Sequence, residues 1–459
     1  MIKISKKHET PDLTQGNITA SVILFSLPLI ISSILQILYH SVDTFFVGHF
    51  MGTNHLAGVS VGGPVIQLTV MVLGGLSSGV SVVIAHYKGA RQQKALAQSV
   101  TTAVALYLLL AVAVTFVGLL TLPLILQVAQ TPAEAWREAY IYLFVVLCGT
   151  PFLFGYNLVG AIQRGLGNSR SSMDYVLISS LMNILLDTVF VAILRWGAFG
   201  AALGTVIAQA CAFGLGIRQL SAAGEGGMPL LSGIRFYKKP LKQILRIGLP
   251  TALNEVMVAA AMFTVNSTAN SFGLVEAAAY GVGRTIDGIA IVADGAMNSA
   301  MASFASRNVG ANKTDRAKKG LCAALLFSGT IGLVMFPIVW GLCPYFVGYF
   351  DSNPAVMASA ISYLRHSAFS YVFFSLVGPL IGFIRGTGNQ KASVIIGLIA
   401  QFGFRIPTTL LAAHFLGFYG VAYGILIGPV SSVCMYGIYI LTGAWKKGLN
   451  NLRQYRTEK

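Results

Sequence analysis

Long apolar stretches separated by short polar segments dominate the chain. The first, residues 18–48, is long enough to cross a bilayer, because a spanning helix needs about 20 mostly apolar residues. Twelve such stretches follow one another, near 18–47, 56–86, 94–122, 137–160, 173–194, 199–220, 241–272, 277–306, 317–341, 357–383, 392–415 and 420–443. The pattern predicts an all-α membrane protein with twelve transmembrane helices.

The two halves of the chain repeat the same pattern. FSLPL around Pro28 matches IGLPT around Pro250, and AHYKGAR matches SRNVGAN. QRGLGNSR matches IRGTGNQK, and QTPAEAWREAYIYL matches DSNPAVMASAISYL, at a constant offset of 221 or 222. Because each repeat holds six spans, both keep one orientation, which predicts two six-helix lobes related by a pseudo-twofold axis. We expect an N-terminal lobe over 1–222, a cytoplasmic linker over 223–240, and a C-terminal lobe with a cytoplasmic tail over 241–459.

Composition and charge support the membrane assignment. The 459 residues are 55% hydrophobic and 10% charged, whereas soluble proteins average about 25% charged residues. The formal charge of +16 comes from basic residues in short loops, so no nucleic-acid partner is indicated. With the N-terminus inside, all but five of the 31 basic residues fall on the inner side, which predicts cytoplasmic termini in the cell membrane. The five exceptions are Arg137, Arg195, Arg284, Arg365 and Arg405.

The candidate chemistry lies in acids inside the predicted spans. Five of the 15 acidic residues fall there: Asp43, Asp187, Glu255, Asp287 and Asp294. A carboxylate at mid-bilayer costs roughly 2.5–3.5 kcal/mol on insertion scales, so such residues usually serve a function. The five cysteines show no paired spacing, so neither a disulfide framework nor a zinc site is predicted.

The N-terminal half carries one candidate cation site. Asn183 and Asp187 are four residues apart and share one helical face, and Asp187 lies at a depth similar to Asp43. Two carboxylates beside an amide suit a proton or a small hard cation, H⁺ or Na⁺. Two alternatives stay open. In the first, Asp43 only marks the outer membrane interface; in the second, Asn183 and Asp187 only form hydrogen bonds to neighbouring helices.

The C-terminal half carries a second candidate set, for the substrate cavity or a second coupling site. Arg284, Asp287 and Asp294 share a helical face. Whether Arg284 and Asp287 form a structural ion pair is left open by their spacing. Glu255 and Asp294 then remain unneutralised, and Arg405 is the other candidate counter-charge. Four methionines on the same two helices are candidates for an adaptable lining or for plain packing: Met257, Met262, Met297 and Met301. Pro28 and Pro250 occupy matching positions in the two repeats, and each predicts a kink in its helix.

Together, FSLPLIISSILQILYHSVDTFFVG, QRGLGNSR and NILLDTVFV resemble the multidrug and toxic compound extrusion (MATE) family, over about residues 16–445. The first-helix acid with Asn-x-x-x-Asp looks like the prokaryotic DinF-type branch, whose cation site lies in the N-terminal lobe. The resemblance implies a site of Asp43, Tyr142, Asn183, Asp187 and Thr205, with Tyr140 competing for the tyrosine position. Glu255 is similar to the acid that another bacterial branch uses in its C-terminal lobe.

The predicted function is a cation-coupled antiporter that exports lipophilic organic compounds, with cations the expected class, by alternating access. No protease, Walker or other nucleotide motif occurs, so the chain is predicted to be neither an enzyme nor an ATP-driven pump. The alternative is a lipid or lipid-linked precursor flippase of the same superfamily, which five acids against Arg284 and Arg405 disfavour. The expected partners are small organic cations and the lipid bilayer, with no cofactor beyond the coupling ion, and the expected oligomeric state is a monomer.

Overall fold

The structure is a computed structural model that describes residues 12–51, 53–222 and 235–449. Between positions 39 and 65 it describes only the side chains at 46, 50, 59, 62 and 63. The side chain of Asp43 and most of the predicted linker therefore lie outside the described residues. Within them the chain is helical and contains no strand, as the apolar pattern predicts.

Six helices form the N-terminal lobe: α1 (Ile18–Met51), α2 (Thr53–Gly89), α3 (Gln93–Val128), α4 (Ala133–Leu166), α5 (Ser169–Asp187), continued by a π-helical turn (Thr188–Ile193), and α6 (Gly197–Ala222). Nine form the C-terminal lobe: α7 (Lys238–Asn270), α8 (Leu274–Ala290), α9 (Val292–Gly310), α10 (Thr314–Phe350), α11 (Pro354–Ser367), α12 (Ser370–Gly386), α13 (Gln390–Leu398), α14 (Ile406–Leu416) and α15 (Gly420–Leu441). A π-helical segment (Ile399–Arg405) joins α13 to α14, and a 3-10 turn (Gly417–Tyr419) joins α14 to α15.

Two predicted spans of the C-terminal lobe are interrupted. The predicted eighth span is divided at Ile291 into α8 and α9, between Gly288 and Gly295, which lower helix propensity. The predicted tenth span bends by 51° between α11 and α12. Ser367 hydrogen-bonds the Leu364 carbonyl at this bend, and such side-chain bonds compete with the helical ladder. The two lobes thus share an element order but differ in regularity.

The described helices account for the twelve predicted spans. Nine helical runs are long and apolar enough to cross a membrane, and the bent pair α11–α12 makes a tenth. One of the nine, residues 390–441, contains two spans, because α14 and α15 pack antiparallel. A Cβ at Gly420 would lie 2.1 Å from the Ala412 carbonyl, and one at Gly424 would lie 1.8 Å from Thr409 Oγ1. The α8–α9 pair, which is rich in polar residues and is not among these apolar runs, covers the predicted eighth span.

The surface of α3 shows how the bundle meets the bilayer. Leu109, Val112, Phe116 and Leu120, at helical spacing, are each more than half exposed. Such an apolar stripe suits a hydrocarbon environment rather than water.

Two helices contain a proline at repeat-equivalent positions, and both helices continue through it. Pro28 lies within α1 and Pro250 within α7. Pro28 therefore does not break its helix, and the kink at each proline stays a prediction.

Candidate functional site

A cavity of about 1130 Å³ lies between the two lobes and is lined by residues of both. This is slightly above the roughly 300–1,000 Å³ typical of ligand pockets. Its apolar wall includes Met71, Tyr156, Met262, Phe263, Phe374 and Ile425. Among the described lining residues the charged ones are Glu255, Arg284 and Asp287. The described wall therefore carries two acids and one base.

Helices α5 and α6 bring three of the predicted cation-site residues together. Asn183 and Asp187 are both fully buried, and Asn183 Nδ2 donates to Thr205 Oγ1 over 3.4 Å. A Cβ at Gly204 would lie 2.8 Å from Asp187 Oδ1, so the glycine lets α6 approach the carboxylate. A carboxylate, an amide and a hydroxyl are hard oxygen donors, which suit a proton or Na⁺. Asp43 lies on α1, but its side chain is outside the described residues.

The two competing tyrosines of α4 point in different directions. Tyr142 is 6% exposed and lines the cavity, as Thr205 does. Its ring packs on α2, where a Cβ at Gly62 would lie 2.7 Å from Tyr142 Cδ1. Tyr140 is 40% exposed and stacks on Phe144. The geometry favours Tyr142 as the tyrosine of the candidate site.

Asp287 is held by hydroxyl groups rather than by the arginine on its own helix. Tyr363 Oη and Ser367 Oγ donate to its carboxylate over 2.9 and 3.1 Å, and Tyr371 Oη donates over 2.5 Å. In the described part of the chain Arg284 forms no ion pair with Asp287, so the ion-pair interpretation is wrong. The carboxylate is buried but at the cavity wall, where it can act on a bound cation.

These three hydroxyl donors were missed by sequence reasoning, although one signal pointed to them. Tyr363 aligns with Tyr142 in the repeat that matches YIYL with ISYL, at the offset of 221. The repeat alone could therefore have nominated Tyr363. Ser367 and Tyr371 follow Tyr363 by one and two turns and lie on either side of the α11–α12 bend. No local sequence pattern predicts this bend.

Glu255 is ion-paired, contrary to the expectation that it stays unneutralised, whereas the hydrogen-bond partner of Asp294 is a backbone N–H, which carries no counter-charge. Arg385 Nη2 lies 3.5 Å from Glu255 Oε1 in an ion pair. Asp294 lies in the first turn of α9, and its Oδ1 accepts the backbone N–H of Gly378 over 2.5 Å. Glu255 still faces the cavity, whereas Asp294 is directed between α9 and α12.

Met297 shows the plain packing that was one of its two predicted roles, and Arg405 is not the predicted counter-charge. Met297 is fully buried in the C-terminal core, and the cavity wall includes Met71 and Met262 but neither Met257 nor Met297. Arg405 is 2% exposed. Its Nη1 donates to Gln401 Oε1 over 2.8 Å, and its guanidinium lies 5.5 Å from the Phe374 ring centre. It therefore neutralises no acid in the described part of the protein.

One end of the bundle is closed by a pseudo-symmetric contact between α2 and α9. A Cβ at Gly89 would lie 2.0 Å from the Arg307 carbonyl, and one at Gly310 would lie 2.1 Å from the His86 carbonyl. Both pairs are related by the offset of 221, as a twofold interface requires. Ser81 Oγ and Ser303 Oγ share a hydrogen bond of 3.0 Å beside them. Only glycine permits this backbone approach, so the two lobes seal here.

Arg307 extends this seal into the N-terminal lobe. Its Nη1 donates to the Leu166 carbonyl at the end of α4 over 2.8 Å, and its Nη2 lies 3.9 Å from Asp12 Oδ1. Partial burial raises the pKa of Asp12, but hydrogen bonds from Thr14 and the nearby Arg307 outweigh it and leave the pKa below its usual value.

The chain segment before α1 lies across the same end. Lys313 Nζ donates to the Thr14 carbonyl over 2.9 Å, and Arg316 Nε donates to the Leu13 carbonyl over 3.2 Å. Residues 12–16 thus attach to the α9–α10 turn of the C-terminal lobe, although they belong to the N-terminal repeat.

Helix α7 shows that the cavity and the seal occupy different depths. Its contacts with α2 and α3 extend from Tyr237 and Gln243 to Ala252. Its cavity-lining residues extend from Glu255 to Asn266. The cavity therefore lies in the half of the bundle away from the seal.

Comparison with known proteins agrees with this architecture. A sequence model of the MatE family matches residues 28–189 and again 250–411, which confirms the internal repeat at its offset of 222. "Probable multidrug resistance protein YpnP" of Bacillus subtilis is 27% identical over 440 residues, covering 95% of this chain and 97% of the relative. "Multidrug export protein MepA" of Staphylococcus aureus is 24% identical over 426 residues, covering 91% and 92%.

Solved structures show the same fold. An outward-facing multidrug resistance MATE family transporter of the MOP superfamily superposes with a TM-score of 0.90 at 24% identity, covering 96% of this chain and 100% of that chain. A MATE crystal structure in a straight conformation gives a TM-score of 0.90 at 25% identity, with the same coverage. Two matches of the family model over more than half of the residues, with this fold, establish that the chain belongs to the MatE family of membrane transporters and is not an enzyme.

Proposed function

We propose that this protein is a multidrug efflux antiporter that exchanges lipophilic organic cations for an inward flow of H⁺ or Na⁺ across the cell membrane. The observation that carries the proposal is the cavity shared by both lobes and sealed at one end. Its wall carries aromatic side chains and two methionines, with two described acids and one described base. Aromatic faces and methionine side chains adapt to varied apolar cations, and the acids favour positive charge.

The coupling ion is proposed to bind in the N-terminal lobe, at Asp187 with Asn183, Thr205, Tyr142 and Asp43. Thr205 and Tyr142 line the cavity, and Asp187 is buried one helical turn along α5 from Asn183. A change of charge at Asp187 would alter the free energy of packing α5 against α6. It would thereby shift the equilibrium between the inward-facing and outward-facing states. Ion and drug then shift the same equilibrium in opposite directions, which is the thermodynamic content of antiport.

The sealed end is proposed to be cytoplasmic. Lys88, Arg91, Arg307, Lys313 and Arg316 all lie at or beside the seal, and basic residues near span ends favour the cytoplasmic side. The structure would then be the outward-facing state. A reporter that is active only outside the cytoplasm, fused after Gly227, should remain silent, and strong activity there would reverse the orientation.

Transport in proteoliposomes tests the function directly. With purified protein, an imposed pH gradient and an imposed Na⁺ gradient are applied separately while ethidium movement is followed. Gradient-driven ethidium exchange under at least one condition is the expected result. Movement of an anionic lipid-linked precursor without any cation exchange would instead establish the flippase alternative, and ethidium leak independent of both gradients would exclude antiport.

A further inference from the structure

A second cleft lies at the sealed end, on the outside of the C-terminal lobe. It has a volume of about 750 Å³ and separates the start of α10 from the end of α15. Its wall includes Thr314, Asp315, Lys318, Trp445, Lys446 and Lys447. This cleft is remote from the central cavity, with which it shares no lining residue.

The electrostatics of the cleft favour an anion. Three lysines line it, Lys318, Lys446 and Lys447, against the single acid Asp315. The first turn of the 37-residue helix α10 also opens into it at Thr314. Free backbone N–H groups and the helix dipole at such a terminus add to the attraction for negative charge.

Trp445 supplies an independent sign of a ligand. The residue is 1% exposed, and its Nε1 has no hydrogen-bond partner among the described residues. Its ring packs on Phe383 with centroids 5.0 Å apart, and Lys318 Nζ lies 5.5 Å from the ring centre. A buried indole N–H normally has an acceptor, and Trp445 belongs to the wall of the basic cleft. An anionic oxygen would satisfy it.

The flanking surfaces indicate where such an anion comes from. Leu326 on α10 and Leu441 on α15 are 75% and 87% exposed, and Ile438 is 63% exposed. These side chains face the hydrocarbon on the two helices that form the cleft, so an acyl chain can lie along them. Lysines at the ends of membrane helices sit at headgroup depth, and basic pockets between such helices bind acidic headgroups.

We propose that this cleft binds the phosphate headgroup of an anionic phospholipid from the adjoining leaflet. The phosphate lies among Lys318, Lys446 and Lys447, accepts the Trp445 N–H after a small adjustment of the ring, and leaves the acyl chains against α10 and α15. The bound lipid joins the start of α10 to the end of the last helix. Arg316, which holds the segment before α1, is two residues from Lys318, so the site adjoins the seal.

Thermal unfolding of delipidated, full-length protein in detergent tests the site. Dioleoylphosphatidylglycerol is added as the probe, with dioleoylphosphatidylcholine and inorganic phosphate in parallel. Phosphatidylglycerol should raise the melting temperature at lower concentration than the other two. Equal stabilisation by inorganic phosphate would assign the cleft to a free anion, and equal stabilisation by phosphatidylcholine would remove the charge requirement; either result overturns the proposal.

Matched variants separate this cleft from general charge attraction. The triple variant Lys318→Gln/Lys446→Gln/Lys447→Gln should weaken the apparent phosphatidylglycerol affinity by about tenfold or more, equivalent to 1.4 kcal/mol. Trp445→Phe, which keeps the ring and removes the N–H, should weaken it by about threefold. The control Lys94→Gln/Lys242→Gln/Lys391→Gln removes three exposed lysines elsewhere and should leave it unchanged. An equal loss in the control, or no loss in the first triple variant, contradicts a built site.

Discussion

The two lobes share a scaffold but have different charges, and one pair of arginines shows this clearly. Arg164 and Arg385 are related by the offset of 221, as are Ser172 and Ser393. In the N-terminal lobe Arg164 Nη1 donates to Ser172 Oγ over 3.1 Å. In the C-terminal lobe Arg385 pairs with Glu255, and Ser393 Oγ has no partner among the described atoms. One added acid, in a position where the other lobe has a serine, redirects the arginine.

The tyrosines of the two sites show the same principle. Tyr142 and Tyr363 pack on the equivalent Gly62 and Gly283, where an added Cβ would approach each ring to 2.7 and 2.5 Å. One turn beyond Gly283 lies Asp287, which accepts the Tyr363 hydroxyl; the corresponding position in the N-terminal lobe is Ile66. The two repeats keep the same packing, while each acid occurs in one lobe only. The two lobes can therefore bind different ligands.

The largest expected effect separates the coupling site from the scaffold. Asp187→Asn keeps the side-chain volume and removes the titratable charge. Losing a charged interaction worth about 1.5–3 kcal/mol should lower gradient-driven ethidium exchange about 100-fold, with normal membrane insertion. Asp174→Asn, the same change near the start of α5, should transport normally. Wild-type rates in Asp187→Asn would remove the N-terminal site from the mechanism.

The seal provides the next comparison, because the repeat-equivalent residues His86 and Arg307 differ in side chain. Arg307→Ala loses a charged hydrogen bond to Leu166 and should shift the population of the sealed state about tenfold, since such bonds contribute roughly 1.5–3 kcal/mol. Spin labels at the repeat-equivalent, exposed positions Lys94→Cys and Asp315→Cys, in a background without native cysteines, report the separation of the lobes.

The matched variant at the seal is Lys319→Ala, an exposed cation of the following helix. It should leave the distance distribution unchanged. If Arg307→Ala also leaves that distribution unchanged, the glycine contacts alone hold the seal and Arg307 does not stabilise it.

A moderate effect should distinguish the two lobes in drug binding. Asp287→Asn removes one of the two described acids of the cavity wall and should weaken the affinity for a monocation about tenfold, or 1.4 kcal/mol. An uncharged ligand of similar shape should bind as before. Equilibrium binding to purified protein measures both, with Glu276→Gln near the start of α8 as the control. An equal loss for the charged and the uncharged ligand would show that Asp287 shapes the wall instead.

The smallest effect tests the shared packing. Gly62→Ala and Gly283→Ala each force a methyl group against a tyrosine ring, and such overpacking costs about 1–3 kcal/mol. Both should lower the melting temperature by similar amounts. Gly283→Ala should additionally weaken cation binding a few-fold, because it displaces Tyr363 from Asp287. A change in cation affinity with Gly62→Ala alone would reverse the assignment of the lobes.

Most of the fold was predictable because its signals are local or periodic. Twelve apolar runs and a constant repeat offset determine the number of spans and their relation. The candidate cation site was predictable only in part: the spacing of Asn183 and Asp187 places them on one face, and Thr205 and Tyr142 came from family resemblance. The interpretation of Arg284 with Asp287 failed because spacing on one helix does not reveal which hydroxyls a neighbouring helix offers.

By itself the sequence determined a membrane transporter of two repeated six-span lobes, because the cost of exposing polar backbone to lipid forces each apolar run into a helix. Only the tertiary structure decided which acids are partnered, which end is sealed and where the cavity lies. Those outcomes depend on contacts between residues far apart in the chain, such as Tyr371 with Asp287 and Arg307 with Leu166. A buried charge takes whichever partner the packed helices bring within hydrogen-bond distance, and no local pattern encodes that choice.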